Sequence, residues 1–159
     1  MDWNFRLSDD HSHIDRLFID AFAILEGGKT PVNIIDRIWA RLAVHIRAEH
    51  LHLFPMIGLA ARENSDPETM ELIGTLRADH DFFMKRFGES MKLLREWPNT
   101  DITNDLRTIF SRLATHNEME EKQIYPLVET WLSDDERRDL MCKMTGELEN
   151  APSRFTGNW

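Results

Sequence analysis

Cysteine is nearly absent from this chain of 159 residues, in which Cys142 is the single example. One cysteine excludes a disulfide framework and a metal site built from several thiolates, and it fits a reducing compartment. Long apolar runs are also missing, so no segment reaches the roughly 20 residues of a membrane-spanning helix. Residues 1–4 lack the pattern of a signal peptide. We therefore expect a cytoplasmic protein without a membrane partner.

Basic residues are few compared with acidic ones. Lysine and arginine total 19, whereas aspartate and glutamate total 28, which gives a formal net charge of -9. Binding of nucleic acid depends on clustered lysine and arginine, so nucleic acid is not an expected partner. The length is that of one domain, which can bury a core without disulfides. We assign residues 1–159 to a single domain.

Strand patterns are absent as well, because alternation of apolar and polar residues is not found and β-branched residues are sparse. Caps and helix breakers instead predict four long helices and a shorter fifth. The first helix starts at an N-cap, Ser8, and stops at Gly27-Gly28. The others run from Thr30-Pro31 to about Asn64 with a kink or local distortion at Pro55, from Asp66-Pro67 to Trp97-Pro98, from between Thr100 and Thr103 to about Leu132, and from Ser133 to about Asn150.

Short connections between long helices favour antiparallel neighbours. We therefore predict an all-α fold, an antiparallel up-down-up-down four-helix bundle over about residues 8–132, with a shorter fifth C-terminal helix over about 134–150 and a tail at 151–159. The fifth helix has an apolar face, which we expect to pack on the bundle; binding of a protein partner or a second copy of the chain is the alternative. This face consists of Leu140, Met141, Met144 and Leu148.

A motif of histidine and glutamate occurs twice in the chain. His45 and Glu49 are separated by three residues, and His116 and Glu120 repeat this spacing. Both copies continue to an aromatic residue and a proline, which lies six residues after the glutamate. One such motif is weak evidence for a site, but two copies in register are unlikely to arise by chance.

Each copy of the motif is preceded by a second histidine in a shared context. Asp10-His11 precedes the first copy and Asp79-His80 precedes the second, so the whole unit repeats with a period of about 70 residues. Together the two units supply four histidines and two carboxylates. This set of nitrogen and oxygen donors suits iron, manganese or zinc.

All six of these side chains lie on the apolar stripes of their predicted helices. Residues at i and i+4 project from one helix face, so each motif directs its histidine and its glutamate into the core. Burial without compensation would cost several kcal/mol per charged group, and a bound metal satisfies all of them together. We predict as metal ligands His11, His45, Glu49, His80, His116 and Glu120.

Residue counts place these side chains at one height in the bundle. His11 is about 24 Å from the end of the first helix, and His45 is about 21 Å from the start of the second, at 1.5 Å per residue. Across the second connection, Glu49 and His80 each lie about 20 Å along their helices from the turn. Across the third, His80 and His116 each lie about 22 to 25 Å from the turn. The heights agree across all three helix hairpins and therefore predict that the six side chains lie in one layer. Histidines scattered through the core would not show this agreement.

The repeated unit resembles that of hemerythrin-like (HHE cation-binding) domains, and the resemblance covers roughly residues 8–132. It matches the family pattern residue by residue at all six predicted ligands. The resemblance implies a non-haem di-iron centre, in which two Fe ions share a bridging oxo or hydroxo group. It would place His11 and His45 on one iron, His80 and His116 on the other, and Glu49 and Glu120 as the bridges.

The sequence departs from the oxygen-carrying hemerythrins at one position. Those proteins have His-x-x-x-His on the third helix, whereas His80 has Leu76 four residues before it and Met84 four residues after it. Because it lacks the fifth histidine, the sequence resembles family variants associated with sensing, stress responses, nitric oxide or iron handling. The expected partner is therefore a small diatomic ligand or peroxide that is not carried reversibly.

Five further side chains near the motifs have open roles. His13 lies off the apolar stripe and is the alternative ligand on the first helix. His50 is expected at the flank of the site. His52 is assigned either to a supporting or gating role or to packing, and Tyr125 is expected to pack. Glu121, like His52 and Tyr125, is a candidate for an additional place at the site.

Several functions remain open from the sequence. We favour a non-haem di-iron protein that binds and reacts with O2, NO or peroxide in a sensing or stress-response role. The alternatives are an iron-handling or Fe-S repair protein, and a di-iron enzyme with peroxidase or NO-reducing activity. Whether the protein is an enzyme is not decided by these patterns.

Overall fold

The structure, a computed structural model, describes residues 3–150, with side-chain surroundings from Arg6 onward. The predicted tail at 151–159 lies outside the described residues. No strand occurs within residues 3–150, and the predicted all-α class is confirmed. The helices are α1 (Trp3–Glu26), α2 (Val32–Ala48), α3 (Phe54–Glu63), α4 (Pro67–Glu96), α5 (Thr103–Met119), α6 (Tyr125–Trp131) and α7 (Asp134–Glu149).

Four helical rods form a bundle. The rods are α1, α2 continued by α3, α4, and α5 continued by α6, and they contact one another in the closed order α1, α2, α4, α5 and back to α1. This is the set of neighbours expected for a four-helix bundle. The predicted bundle is confirmed, and the up-down-up-down order remains a prediction that the short connections favour.

The second and fourth rods each contain one π turn, and each turn begins at a motif glutamate. The turns are Glu49–Leu53 and Glu120–Ile124. Proline lacks an N–H, and its ring clashes with the carbonyl four residues earlier, so the helix widens ahead of Pro55 and Pro126. The residue before each proline donates its N–H to the carbonyl of the motif glutamate, five residues back. The distortion predicted at Pro55 is confirmed, and the second copy of the motif shares it.

Two of the predicted helix starts are confirmed by their hydrogen bonds. Asp66 caps α4 by accepting a hydrogen bond from the Thr69 N–H. Ser133 and Glu136 form a reciprocal capping box at the start of α7. Both contacts satisfy N–H groups that the first turn of a helix would otherwise leave unbonded.

The prediction of Ser8 as the N-cap of the first helix is wrong. α1 already begins at Trp3, so Ser8 lies inside the helix. The helix continues upstream because Leu7, which is 2% exposed, packs in the core. Asp10, two residues after Ser8, is also inside the helix, and its carboxylate binds Arg41 and His45 on α2. Tertiary contacts therefore override the local capping signal.

Two apolar clusters fill the bundle on either side of a polar layer. Ile14, Phe83 and Leu113 belong to one cluster, and Leu7, Leu76 and Ile124 belong to the other. The predicted ligands lie between these residues along their helices. The layer is therefore enclosed at both ends by packed hydrocarbon.

The fifth helix, α7, packs against α2 and the first π turn. Its residues Leu140, Met144 and Leu148 are buried in the second apolar cluster. The apolar face of this helix is thus covered by other parts of the chain, as we expected from the sequence. None of the described helices combines the length and the apolar character required to cross a membrane.

Two isoleucines provide a test of this packing. Ile38 on α2 is fully buried, whereas Ile19 on α1 is 57% exposed. We expect Ile38→Ala to lower the free energy of unfolding by about 2 to 5 kcal/mol, because it removes buried methyl groups and leaves a cavity. The matched substitution Ile19→Ala should change it by less than about 0.5 kcal/mol. Denaturant titration of both variants measures the difference, and similar losses would contradict the described packing.

Candidate metal centre

The six predicted ligands meet in one buried layer of the bundle. None of them exposes more than 3% of its surface. The two glutamates are the first residues of the two π turns. The four histidines come from four different helices: His11 from α1, His45 from α2, His80 from α4 and His116 from α5.

The four imidazoles form two close pairs. The Nε2 atoms of His11 and His45 are 3.0 Å apart, and those of His80 and His116 are 3.1 Å apart. Two nitrogens bound at right angles to one ion, each at about 2.1 Å, would lie about 3.0 Å from each other. The spacing in each pair is therefore that of two ligands on a single metal ion.

The two glutamates lie between the histidine pairs. Glu49 Oε1 is 3.0 Å from His45 Nε2 and 3.6 Å from His80 Nε2. Glu120 Oε1 likewise contacts one histidine of each pair, at 3.1 Å from His116 Nε2 and 3.4 Å from His11 Nε2. Each carboxylate therefore reaches both pairs. The donor atoms form two sets, and within each set all atoms lie within 4.8 Å of one another. One set consists of Glu49, His80, His116 and Glu120, and the other consists of His11, His45 and Glu120.

Buried polar atoms in this layer remain without hydrogen bonds to the described residues. They are Glu49 Oε1 and both carboxylate oxygens of Glu120. A buried polar group without a partner costs about 1 to 3 kcal/mol, and more if it is charged. A cation between the histidine pairs would satisfy these oxygens, and the mixed donors suit iron, manganese or zinc. The residues present therefore fit a metal centre.

The charges of the layer depend strongly on one another. Burial lowers the pKa of His116, but the Glu120 carboxylate and the hydrogen bond with Asp79 outweigh it and raise this pKa to about 9. Burial and the neighbouring Glu120 carboxylate raise the pKa of Glu49 to about 7. Protons thus compensate the buried carboxylates when no cation is bound, and a metal ion must displace them.

Two aspartates hold the outer nitrogen of one histidine in each pair. Asp10 Oδ2 is 2.7 Å from His45 Nδ1, and Asp79 Oδ2 is 3.1 Å from His116 Nδ1. These contacts indicate that each Nδ1 carries a proton and donates it, since an aspartate with a low pKa can only accept. Once a metal ion displaces the proton from the opposite nitrogen, Nε2, the lone pair of that atom faces the centre of the layer.

This role of the two aspartates was not among the sequence-based predictions, although the sequence carries a signal for it. In both copies an aspartate immediately precedes the first histidine. An arginine also lies four residues before the second histidine in both copies, and Arg41 and Arg112 bind Asp10 and Asp79 through hydrogen bonds of 2.5 and 2.8 Å. The repeat therefore includes an aspartate and an arginine in addition to the predicted ligands.

Glu121 and Tyr125, whose roles the sequence left open, both lie beside His11. Glu121 Oε1 is 2.9 Å from His11 Nδ1. The Tyr125 O–H donates to Glu49 Oε2 at 2.8 Å and lies 3.1 Å from His11 Nε2. Tyr125 is fully buried, as its expected packing role requires, and its hydroxyl also supports the centre.

The other three histidines do not join the cluster of donor atoms. His52 Nε2 lies 3.3 Å from Glu147 Oε1 on α7, so this side chain contacts the fifth helix. His13 is partly buried and contributes no atom to either set of donors. The ring of His50 is centred 6.4 Å from that of His80, at the flank of the layer. These positions favour His11 over His13 as the ligand from α1.

A helical bundle that buries four histidines and two glutamates in one layer is a metal-binding domain. The model of the hemerythrin HHE cation-binding domain matches residues 5–128 of this chain. The chain therefore belongs to the hemerythrin HHE cation-binding domain family. Comparison with curated proteins and with solved structures gave no match.

The two aspartates are expected to strengthen metal binding through the histidines that they hold. Replacing Asp10 or Asp79 by asparagine should lower the metal affinity about 10- to 100-fold, because the imidazole loses its charged acceptor. Competition with a chelator measures this affinity, and circular dichroism checks that the helices remain. Asp9→Asn, at an exposed position on the same helix, is the control. Unchanged affinity in both variants would contradict the role.

Proposed function

We propose that the chain is a non-haem di-iron protein that binds and reacts with O2, NO or peroxide in a sensing or stress-response role. The observation that supports this proposal is the pairing of histidines around two shared carboxylates. One ion would be held by His11 and His45 and the other by His80 and His116. Glu49 and Glu120 would bridge the two ions, since each approaches both pairs.

Redox chemistry distinguishes iron and manganese from zinc among the metals that these donors suit. Zinc has no redox chemistry in proteins, whereas a pair of iron ions can exchange electrons with O2, NO or peroxide. Two neighbouring ions of one centre also allow a small molecule to contact both metals. The donor set and the family together support iron as the physiological metal.

The protein side chains around the layer orient the ligands and exclude water. The ring of Phe54 stacks on His80, with centroids 5.3 Å apart, and the edge of Phe83 meets the ring of His116 at 5.2 Å. Both phenylalanines are fully buried. This apolar wall favours small uncharged molecules over larger or charged substrates, which supports a diatomic ligand or peroxide.

The residues around His80 argue against reversible oxygen carriage. Leu76 and Met84 occupy the positions four residues away from His80 on α4, and both are buried. They offer no additional imidazole, so the protein supplies four nitrogens and two carboxylates. Of the three further candidates, His52 contacts Glu147 and Glu121 contacts His11 Nδ1. The third, Tyr125, donates its hydroxyl proton to a hydrogen bond with Glu49 Oε2. Exchangeable positions would therefore remain on both ions.

A di-iron enzyme with peroxidase or NO-reducing activity is the second candidate. The buried hydroxyl of Tyr125 favours it, because this group donates a hydrogen bond to Glu49 Oε2 at the centre of the layer. Burial and the Glu120 carboxylate raise the pKa of Tyr125 far above its usual value. The phenol therefore stays protonated at neutral pH, which preserves the hydrogen bond that it donates to Glu49 Oε2. Turnover assays with peroxide and with NO distinguish this enzyme from a sensor.

The metal content of the protein tests the proposed centre. We expect close to two irons per chain in protein purified from iron-replete cells. Replacing Glu49 and Glu120 together by alanine should remove most of this iron, because both proposed bridges are lost. His13→Ala is the control and should retain the iron, since His13 is not part of the donor cluster. Full iron loading of the double variant would refute the proposal.

The reaction with O2 tests the proposed reactivity. We expect the reduced, diferrous protein to consume O2 irreversibly and to end in the diferric form, because both ions keep exchangeable positions. Rapid mixing followed by absorption spectroscopy and an oxygen electrode measures this reaction. Recovery of the bound O2 on purging with argon would instead restore oxygen carriage as the function.

A further inference from the structure

The two halves of the centre are related by the sequence repeat, and several contacts occur in both. An aspartate holds one histidine of each pair, as Asp10 holds His45 and Asp79 holds His116. Both glutamates begin a π turn with the same helical backbone angles. The repeat is nevertheless broken at two positions that contact the centre, and both differences affect the same half.

The first difference lies directly after the motif glutamates. Glu121 follows Glu120, and its carboxylate binds His11 Nδ1 at 2.9 Å. The corresponding residue after Glu49 is His50, whose ring is centred 6.4 Å from the ring of His80. His80 Nδ1 is buried and has no hydrogen-bond partner within the described part of the chain. One histidine thus has a carboxylate on its outer nitrogen, and its counterpart does not.

The second difference lies before the two prolines. Tyr125 stacks on His11, with centroids 5.7 Å apart, and Phe54 stacks on His80 at 5.3 Å. The Tyr125 hydroxyl donates to Glu49 Oε2. Phe54 has no hydroxyl, and both oxygens of Glu120 are without a hydrogen bond to any described residue. The aromatic ring is therefore retained in both halves, but the hydrogen bond occurs in one.

The first of these differences changes how strongly each pair can bind a cation. A carboxylate on the outer nitrogen fixes the ring of a histidine and makes its inner nitrogen more basic. Both histidines of the first pair have such a partner, Glu121 on His11 and Asp10 on His45. In the second pair only His116 has one, Asp79. The negative charge near the first pair is correspondingly larger.

We propose that the two metal positions are inequivalent, and that the ion at His80 and His116 is held less tightly and leaves first. Glu121 is the positioning residue that secures the other ion through His11. This inference rests on the proposed di-iron centre, and it names which of the two ions is exchangeable.

Release of ferrous iron to a chromogenic chelator tests the inequivalence. The protein is loaded with Fe(II) under anaerobic conditions, its metal content is measured, and excess chelator is added. We expect two irons per chain and release in two phases of equal amplitude, with rates that differ about tenfold or more, the usual effect of such a partner. Two irons released at one rate would overturn the inference and leave the di-iron proposal intact. Fewer than two irons at saturating metal would refute both.

Substitutions at the two differing positions assign the phases to the two sites. Glu121→Gln removes the carboxylate from His11 and should accelerate the slow phase about tenfold or more. His50→Glu places a carboxylate at the position equivalent to Glu121, and should slow the fast phase by a similar factor. The two variants thus have opposite effects on different phases, which a general loss of stability would not produce.

Matched controls separate these effects from a change in charge or in packing. Glu118→Gln removes an exposed carboxylate that pairs with Lys122, and Leu51→Glu adds one beside His50 at a residue that is 49% exposed. Both controls should release iron as the original protein does. The inference would be overturned if Leu51→Glu slowed iron release as much as His50→Glu. It would also be overturned if Glu121→Gln left the slow phase unchanged or if His50→Glu left the fast phase unchanged. Thermal melting of the metal-free variants shows whether the fold is retained.

Discussion

The structure depends on the burial of two carboxylates and four imidazoles at the middle of a helical bundle. Such groups are costly inside a protein unless their charges and hydrogen bonds are satisfied. The chain arranges them in one layer, so that a cation can compensate all of them together. The two apolar clusters that pack above and below the layer, and the aspartates and arginines at its edge, are consequences of this arrangement.

Two copies of one sequence unit supply the side chains of the layer. In each copy, a histidine and a glutamate follow one another on a rod, and a proline six residues later forces a π turn that begins at the glutamate. A π turn changes the direction of side chains relative to a regular helix, and such turns often occur at functional sites. The proline of each copy therefore has a structural role in directing a carboxylate towards both histidine pairs.

The surroundings of the layer limit what can react there. The six buried side chains of the layer are almost inaccessible, aromatic rings cover His80 and His116, and a tyrosine hydroxyl reaches Glu49. For the proposed function, this environment would suit a small uncharged molecule, and Tyr125 would supply a buried hydrogen-bond donor. Both differences between the two halves place polar groups on the side of His11, so a centre built from a repeat need not contain two equal sites.

The sequence by itself determined the all-α class, most helix boundaries, the bundle and the six residues that meet in the layer, because helical spacing and a repeated motif are local properties of the chain. It predicted a distortion at Pro55 but an N-cap at Ser8 where none exists, since the core extends α1 upstream. Only the tertiary structure decided the partners of Asp10, Asp79, Glu121 and His52, because these side chains contact residues far away in sequence. The difference between the two histidine pairs has the same origin. The repeat shows that Glu121 and His50 differ, but only the packing of neighbouring rods decides which side chain meets each outer nitrogen.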